Sequence, residues 1–143
     1  MSDKKLNITS LIGAKNSFNK TLALVLDVDK TDRMFEALRA GLIQNFETAY
    51  ELSWKTMKRY IEIYQAGDMT ADFLTRKDFF RKAAAMGLIA DPVKWFGFTE
   101  LRNRTVHTYA EEIAEAVYAA MEDFGEELNS FVDALEKRLA AED

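Results

Sequence analysis

Apolar residues recur along this chain at intervals of three and four, the spacing that gathers them on one face of an α-helix. The first run, Ile8, Leu11, Ile12, Phe18, Leu22, Val25 and Leu26, stops at the acidic stretch Asp27-Val28-Asp29-Lys30-Thr31-Asp32, which supplies N-cap candidates for the next helix. The second run is the longest. Phe35, Leu38, Leu42, Phe46, Ala49, Ser53, Met57, Tyr60 and Tyr64 form one stripe, and Ile43, Tyr50, Trp54 and Ile61 form another beside it. Gly67 is the expected left-handed cap. Two stripes cover more of a helix than one partner layer needs, so the second faces either the chain's own core or another subunit.

Thr75-Arg76-Lys77-Asp78 has the form of a capping box with Asp in place of Glu or Gln, and it predicts a short helix ending near Gly87. Asp91-Pro92 restarts the chain: Asp caps, and Pro fills a first-turn position where its missing N–H costs nothing. The fourth helix runs through Trp95, Phe98 and Leu101 and weakens at the β-branched pair Thr105 and Val106, after which a break is expected. Thr108 stands three residues before Glu111, a second capping-box spacing. It predicts a fifth helix from Tyr109 through Ile113, Val117, Met121, Phe124, Leu128, Val132, Leu135 and Leu139. No alternating run bounded by turn residues suggests a strand. The expected fold is therefore all-α: an antiparallel up-and-down bundle of about five helices, forming one domain over residues 1–143.

Composition narrows the chemistry. The absence of cysteine removes disulfides, thiolate catalysis and cysteine-ligated metals, and suits a reducing cytoplasm. No stretch reads as a signal peptide or membrane span, so a cytoplasmic protein without membrane contacts is expected. A net charge of −5 argues against indiscriminate nucleic-acid binding and leaves room for a local basic site. Glu111, Glu112 and Glu115 lack histidine or cysteine partners at ligand spacing, so no metal site and no cofactor are expected.

The chemistry concentrates in Leu101-Arg102-Asn103-Arg104-Thr105-Val106-His107-Thr108-Tyr109, which holds the only histidine. Imidazole is the one side chain whose unperturbed pKa lets it take and give protons near neutrality. On an uninterrupted helix Arg102 and His107 lie about 140° apart, whereas a break after Val106 would let His107 turn toward Arg102 and the N-terminus of the fifth helix. An arginine for phosphate, an imidazole for a proton and a helix N-terminus for the anion suit RNA cleavage in which the 2′-hydroxyl attacks phosphorus, with no metal required. The bland alternative is a pair of cations at a helix C-terminus beside a hydrogen-bonding histidine. Arg76, Lys77, Arg81 and Lys82, together with Arg104, could guide an RNA backbone, or could line a solvated helix face.

Arg102, four residues, His107, one residue and Tyr109 resemble the R-x4-H-x-Y motif of HEPN domains, with Asn103 at their frequent polar position and Val106 where a small or polar residue is expected. The stretch Gln44-Asn45-Phe46-Glu47-Thr48-Ala49-Tyr50-Glu51-Leu52-Ser53-Trp54-Lys55-Thr56-Met57-Lys58-Arg59-Tyr60 resembles the long helix of nucleotidyltransferase substrate-binding proteins, the subgroup that includes HepT-type toxins. Phe79 to Ile89, followed by Trp95, is similar to their next segment. The resemblance implies a homodimeric, metal-independent endoribonuclease in which two motifs face one cleft. Arg102 would contact phosphate, His107 would carry the proton and Asn103 would position either. It also implies a minimal nucleotidyltransferase antitoxin that silences the nuclease by adding AMP to Tyr109. The substrate class would be RNA, with tRNA and mRNA both open. A non-catalytic subunit that presents substrate or nucleotide to a nucleotidyltransferase is the alternative, though an adaptor would need no imidazole at that place.

Overall fold

The computed structural model describes residues 6–64, 74–107 and 110–142, His107 by its backbone alone. Six helices account for nearly all of it: α1 (Thr9–Leu26), α2 (Phe35–Tyr64), α3 (Arg76–Ala85), α4 (Pro92–His107), α5 (Glu111–Ala119) and α6 (Met121–Ala141), with no strand among the described residues. The expected all-α bundle is the observed class.

The local signals act as their chemistry dictates. Asp32 accepts from the Met34 N–H at 2.8 Å where α2 begins, and Asp91 accepts from Val93 N–H at 2.9 Å beside Pro92. Thr75 and Asp78 form both halves of the capping box, the Asp78 N–H donating to Thr75 Oγ1 at 3.2 Å and the Thr75 N–H to Asp78 Oδ2 at 3.0 Å. Gly87 closes α3 at φ 81°, with Leu88 N–H bonded to Ala83 O and Gly87 N–H to Ala84 O, the paired bonds of a left-handed helix stop. Gly67 lies outside the described residues.

Two expectations are corrected. The fifth helix is two: the chain bends at Ala120, where Ala120 N–H bonds to Val117 O and Ala120 O accepts from Phe124 N–H. Packing decides this. α5 lies against α2 and α4, while α6 packs chiefly along α1 and also reaches α2 and α4 through Phe124. The start of that segment also differs. α5 begins at Glu111, with Ala110 as N-cap and no side-chain cap, rather than at Tyr109; the Thr108 half of the expected box lies outside the described residues, as does Tyr109.

The core is built on rings. Phe124 of α6 meets Phe18 of α1, Phe46 of α2, and Trp95 and Phe98 of α4 edge-on, at centroid distances of 5.2, 4.8, 5.9 and 5.0 Å. All five are buried. Such edge-to-face contacts add about 0.5–1.5 kcal/mol apiece beyond the area they bury. Gly125 lets α1 close on α6, since a β-carbon there would stand 3.1 Å from the Phe18 ring. Of the second α2 stripe, Tyr50 and Ile61 join the chain's own core, while Trp54 and Ile43 are half-buried at its edge. This aromatic frame fixes α2 against α4, and between those two helices lies the motif arginine.

Candidate functional site

Arg102 projects from α4 toward α2, where Glu47 and Glu51 stand one turn apart on a shared face. Its Nη1 lies 3.9 Å from Glu47 Oε2 and its Nε 3.5 Å from Glu51 Oε1. The Nε is buried and has no hydrogen-bond partner among the described residues, yet 23% of the side chain's surface remains exposed. Each carboxylate is held from behind. Trp54 Nε1 donates to Glu51 Oε2 at 3.0 Å, and Thr105 Oγ1 lies 2.9 Å from Glu47 Oε2 and 2.7 Å from Arg102 O.

The network extends to α3. The Arg76 guanidinium sits 4.1 Å from the Trp54 ring centroid and donates to Tyr50 Oη at 3.4 Å, while Trp54 stacks on Phe79 at 6.3 Å. The Tyr50 hydroxyl also pairs with Thr99 of α4. Burial pushes that hydroxyl above its ordinary pKa, against the lowering effect of its Thr99 and Arg76 bonds. A chain of contacts thus links Arg76, Trp54, Glu51, Arg102, Glu47 and Thr105.

A groove of about 690 Å³ opens next to this network, between the first half of α2 and the start of α5. Ala37, Ala40 and Gly41 give it a small-residue floor, Glu47 and Thr105 form its end nearest Arg102, and Ala110 and Ala114 line it from α5. Arg39, 8% exposed, crosses to Glu111 with two bonds of 2.7 and 2.6 Å. That pairing holds the Glu111 carboxyl below the ordinary glutamate range and raises Arg39. Glu111, expected as a capping residue, therefore ties α5 to α2 instead.

The remaining candidates divide. Asn103 and Arg104 are exposed on α4 next to Arg102. His107 is the last residue of α4, so the break expected after Val106 falls one residue later. Its backbone stands about 140° around the axis from that of Arg102, and the helix does not bring the two onto one face. The His107 side chain, Thr108 and Tyr109 lie outside the described residues. Arg76 is occupied by Trp54 and Tyr50, whereas Lys77 and Arg81 flank the half-buried Phe96 ring at 5.3 and 5.2 Å. Arg81 also pairs with Asp78 at 3.4 Å, and Lys82 is half-buried. Among the described residues no cluster of three or more metal-ligating side chains occurs, and no helix is long and apolar enough to cross a membrane.

Glu47, Glu51 and Arg39 carry the geometry around Arg102 and the groove, and the motif did not single them out. Glu47 and Glu51 carried a signal, two carboxylates at i and i+4 shortly before Trp54, whereas Arg39 carried none.

Residues 6–137 match the sequence family described as nucleotidyltransferase substrate binding protein like. The chain belongs to that family. It is 37% identical over 142 residues to the probable ribonuclease HepT of Haemophilus influenzae, covering 96% of this chain and 97% of the relative. Its fold superposes with a TM-score of 0.83 on a Haemophilus influenzae protein described as a substrate-binding domain of a nucleotidyltransferase, at 35% identity over 91% of this chain and 99% of that one. A Thermus thermophilus protein, 24% identical, shares the fold with a TM-score of 0.62, over 85% of this chain and 98% of its own.

Proposed function

We propose that this member of the family is a HepT-like toxin, a metal-independent endoribonuclease that works as a homodimer. The observation that carries the reading is Arg102, a partly exposed side chain held between α2 and α4 in a chain 37% identical over nearly its whole length to a probable ribonuclease. A guanidinium offers several donors in a planar fork that matches phosphate oxygens.

Within one chain Arg102 and His107 diverge around α4, so a site that uses both is best assembled from two copies. The substrate phosphate docks on Arg102, with exposed Asn103 beside it. One His107 takes the proton from the 2′-hydroxyl, whose oxygen attacks phosphorus. The P–O5′ bond breaks, and the leaving oxygen takes a proton from the second His107. The products are a 2′,3′-cyclic phosphate and a free 5′-hydroxyl, and the two imidazoles exchange protonation states. General acid–base transfer of this kind supplies about 10²–10⁴-fold per step. Lys77, Arg81, Lys82 and Arg104 add positive charge that leads RNA backbone of a tRNA or mRNA toward the cleft, while Arg76 is taken up by Trp54 and Tyr50.

The partner is a minimal nucleotidyltransferase acting as antitoxin; the family's description supports a nucleotidyltransferase as the partner. The Tyr109 hydroxyl attacks the α-phosphorus of ATP, pyrophosphate leaves, and the new phosphodiester anion takes the place of the substrate phosphate. A toxin–antitoxin pair of this kind operates in the cytoplasm.

The test is direct. Purified protein cleaves RNA in excess EDTA, and His107→Ala abolishes cleavage while keeping its helical content. Cleavage by neither protein would favour the second reading, a non-catalytic substrate-binding subunit of a nucleotidyltransferase, which is how the structural relative is described.

A further inference from the structure

The carboxylates around Arg102 pose a problem for a phosphate-binding site, because each opposes an incoming anion. They do not form an ordinary interhelical tie. On the same helix, Arg39 closes on Glu111 at 2.6 and 2.7 Å with both oxygens engaged. Arg102 instead stays 3.5 and 3.9 Å from its carboxylates, with a buried Nε that makes an ion pair but no hydrogen bond among the described residues. Orphaned buried donors are rare in native proteins, and one on a charged group is expensive to keep. The carboxylates themselves are well anchored, Glu51 by the Trp54 N–H and Glu47 near the Thr105 hydroxyl. Arg76, lying on Trp54, balances the charge: two anions, Glu47 and Glu51, and two cations, Arg76 and Arg102, make the cluster neutral.

We propose that Glu51 and Glu47 are positioning residues for Arg102, with Trp54 orienting Glu51. This inference rests on the ribonuclease reading. The anchored carboxylates draw the guanidinium toward α2 and define its orientation without hydrogen-bonding it, so its Nη donors stay available to the substrate. The cost is weaker binding, since a phosphodiester docked on Arg102 also meets two nearby anions. Precision at the transition state is gained at the expense of ground-state affinity, the pattern of an interaction that raises kcat rather than lowers KM.

Glu51→Gln tests this, because the amide oxygen can still accept from Trp54 Nε1 while the charge is gone. Glu51→Gln lowers kcat about 10- to 100-fold, the scale of a misplaced catalytic group, with KM unchanged or lower. Trp54→Phe, which keeps an aromatic ring under Arg76 but replaces the indole with a smaller ring that has no N–H, lowers kcat in the same direction. Binding is read separately with a 2′-deoxy oligonucleotide, which lacks the attacking hydroxyl. Arg102→Ala weakens it, and the double variant Glu47→Gln, Glu51→Gln tightens it at low salt. An unchanged kcat for Glu51→Gln overturns the proposal, as does a loss of kcat matched by a loss of thermal stability. If the wild-type protein cleaves no RNA, the ribonuclease reading fails on its own, and the binding arm decides the rest. Equal affinity of the wild type and the double variant then overturns the positioning role.

Discussion

Arg39 grips both carboxylate oxygens of Glu111, seventy-two positions away in the chain, and so fixes the first turn of α5 to the first half of α2. The bridge stands beside the groove that leads to Glu47 and Thr105. It sets where α5 begins against α2.

Its strength can be measured through pH. Glu111 has its folded-state pKa lowered by the Arg39 bonds, so its contribution to stability is present above the ordinary glutamate pKa and disappears as pH falls through the lowered value. Thermal melts from pH 7 down to pH 3 should show a loss of stability in the wild-type protein that is shallower in Glu111→Gln. Parallel curves would show that the bridge adds nothing to the fold.

The aromatic frame makes a larger prediction. Phe124 touches rings from α1, α2 and α4 and is entirely buried. Phe124→Ala should cost about 3–5 kcal/mol in urea denaturation, the range for removing a large core aromatic. A cost below about 1 kcal/mol would mean that the helices do not meet through this ring.

Gly87 offers a local check. Its φ of 81° disfavours any β-carbon, and a β-carbon there would stand 2.7 Å from Arg138 Nη2. Arg138 itself bonds to Tyr60 Oη at 3.0 Å and to Met86 O, sealing the C-terminus of α3. Gly87→Ala should destabilise the fold by about 1 kcal/mol or more, with α3 the first segment to gain hydrogen exchange.

Much of this arrangement could be read from the chain, and the failures share a cause. Thr75 with Asp78, Gly87, and Asp91 with Pro92 are short-range devices whose partners lie within a few residues, so the sequence displays them whole. The break at Ala120 has no such marker: alanine breaks nothing, and the two helices part where the main packing partner changes from α2 and α4 to α1. Glu111 satisfied a local capping rule and was taken instead by Arg39, a partner with no signature at its side of the sequence. At the site, the motif led to Arg102 but not to Glu47 and Glu51, because only the packing of α4 on α2 brings those three together.

Regulation through Tyr109 has its own test. Incubation with the partner nucleotidyltransferase and ATP should increase the protein's mass by whole adenylyl groups and silence RNA cleavage. Tyr109→Phe should remain folded, active and unmodified. Modification at any other residue would refute the proposed switch.

The central claim is a ribonuclease whose cleft draws His107 from two copies of the chain, and it can be measured in one titration. Wild-type and His107→Ala subunits are co-refolded at varied ratios with total protein held constant, and the RNA cleavage rate is followed in EDTA. If both imidazoles serve one cleft of a two-fold dimer, the rate follows the square of the wild-type fraction and falls to about a quarter at an equal mixture. A rate that falls in direct proportion, or that does not depend on His107 at all, would contradict the account.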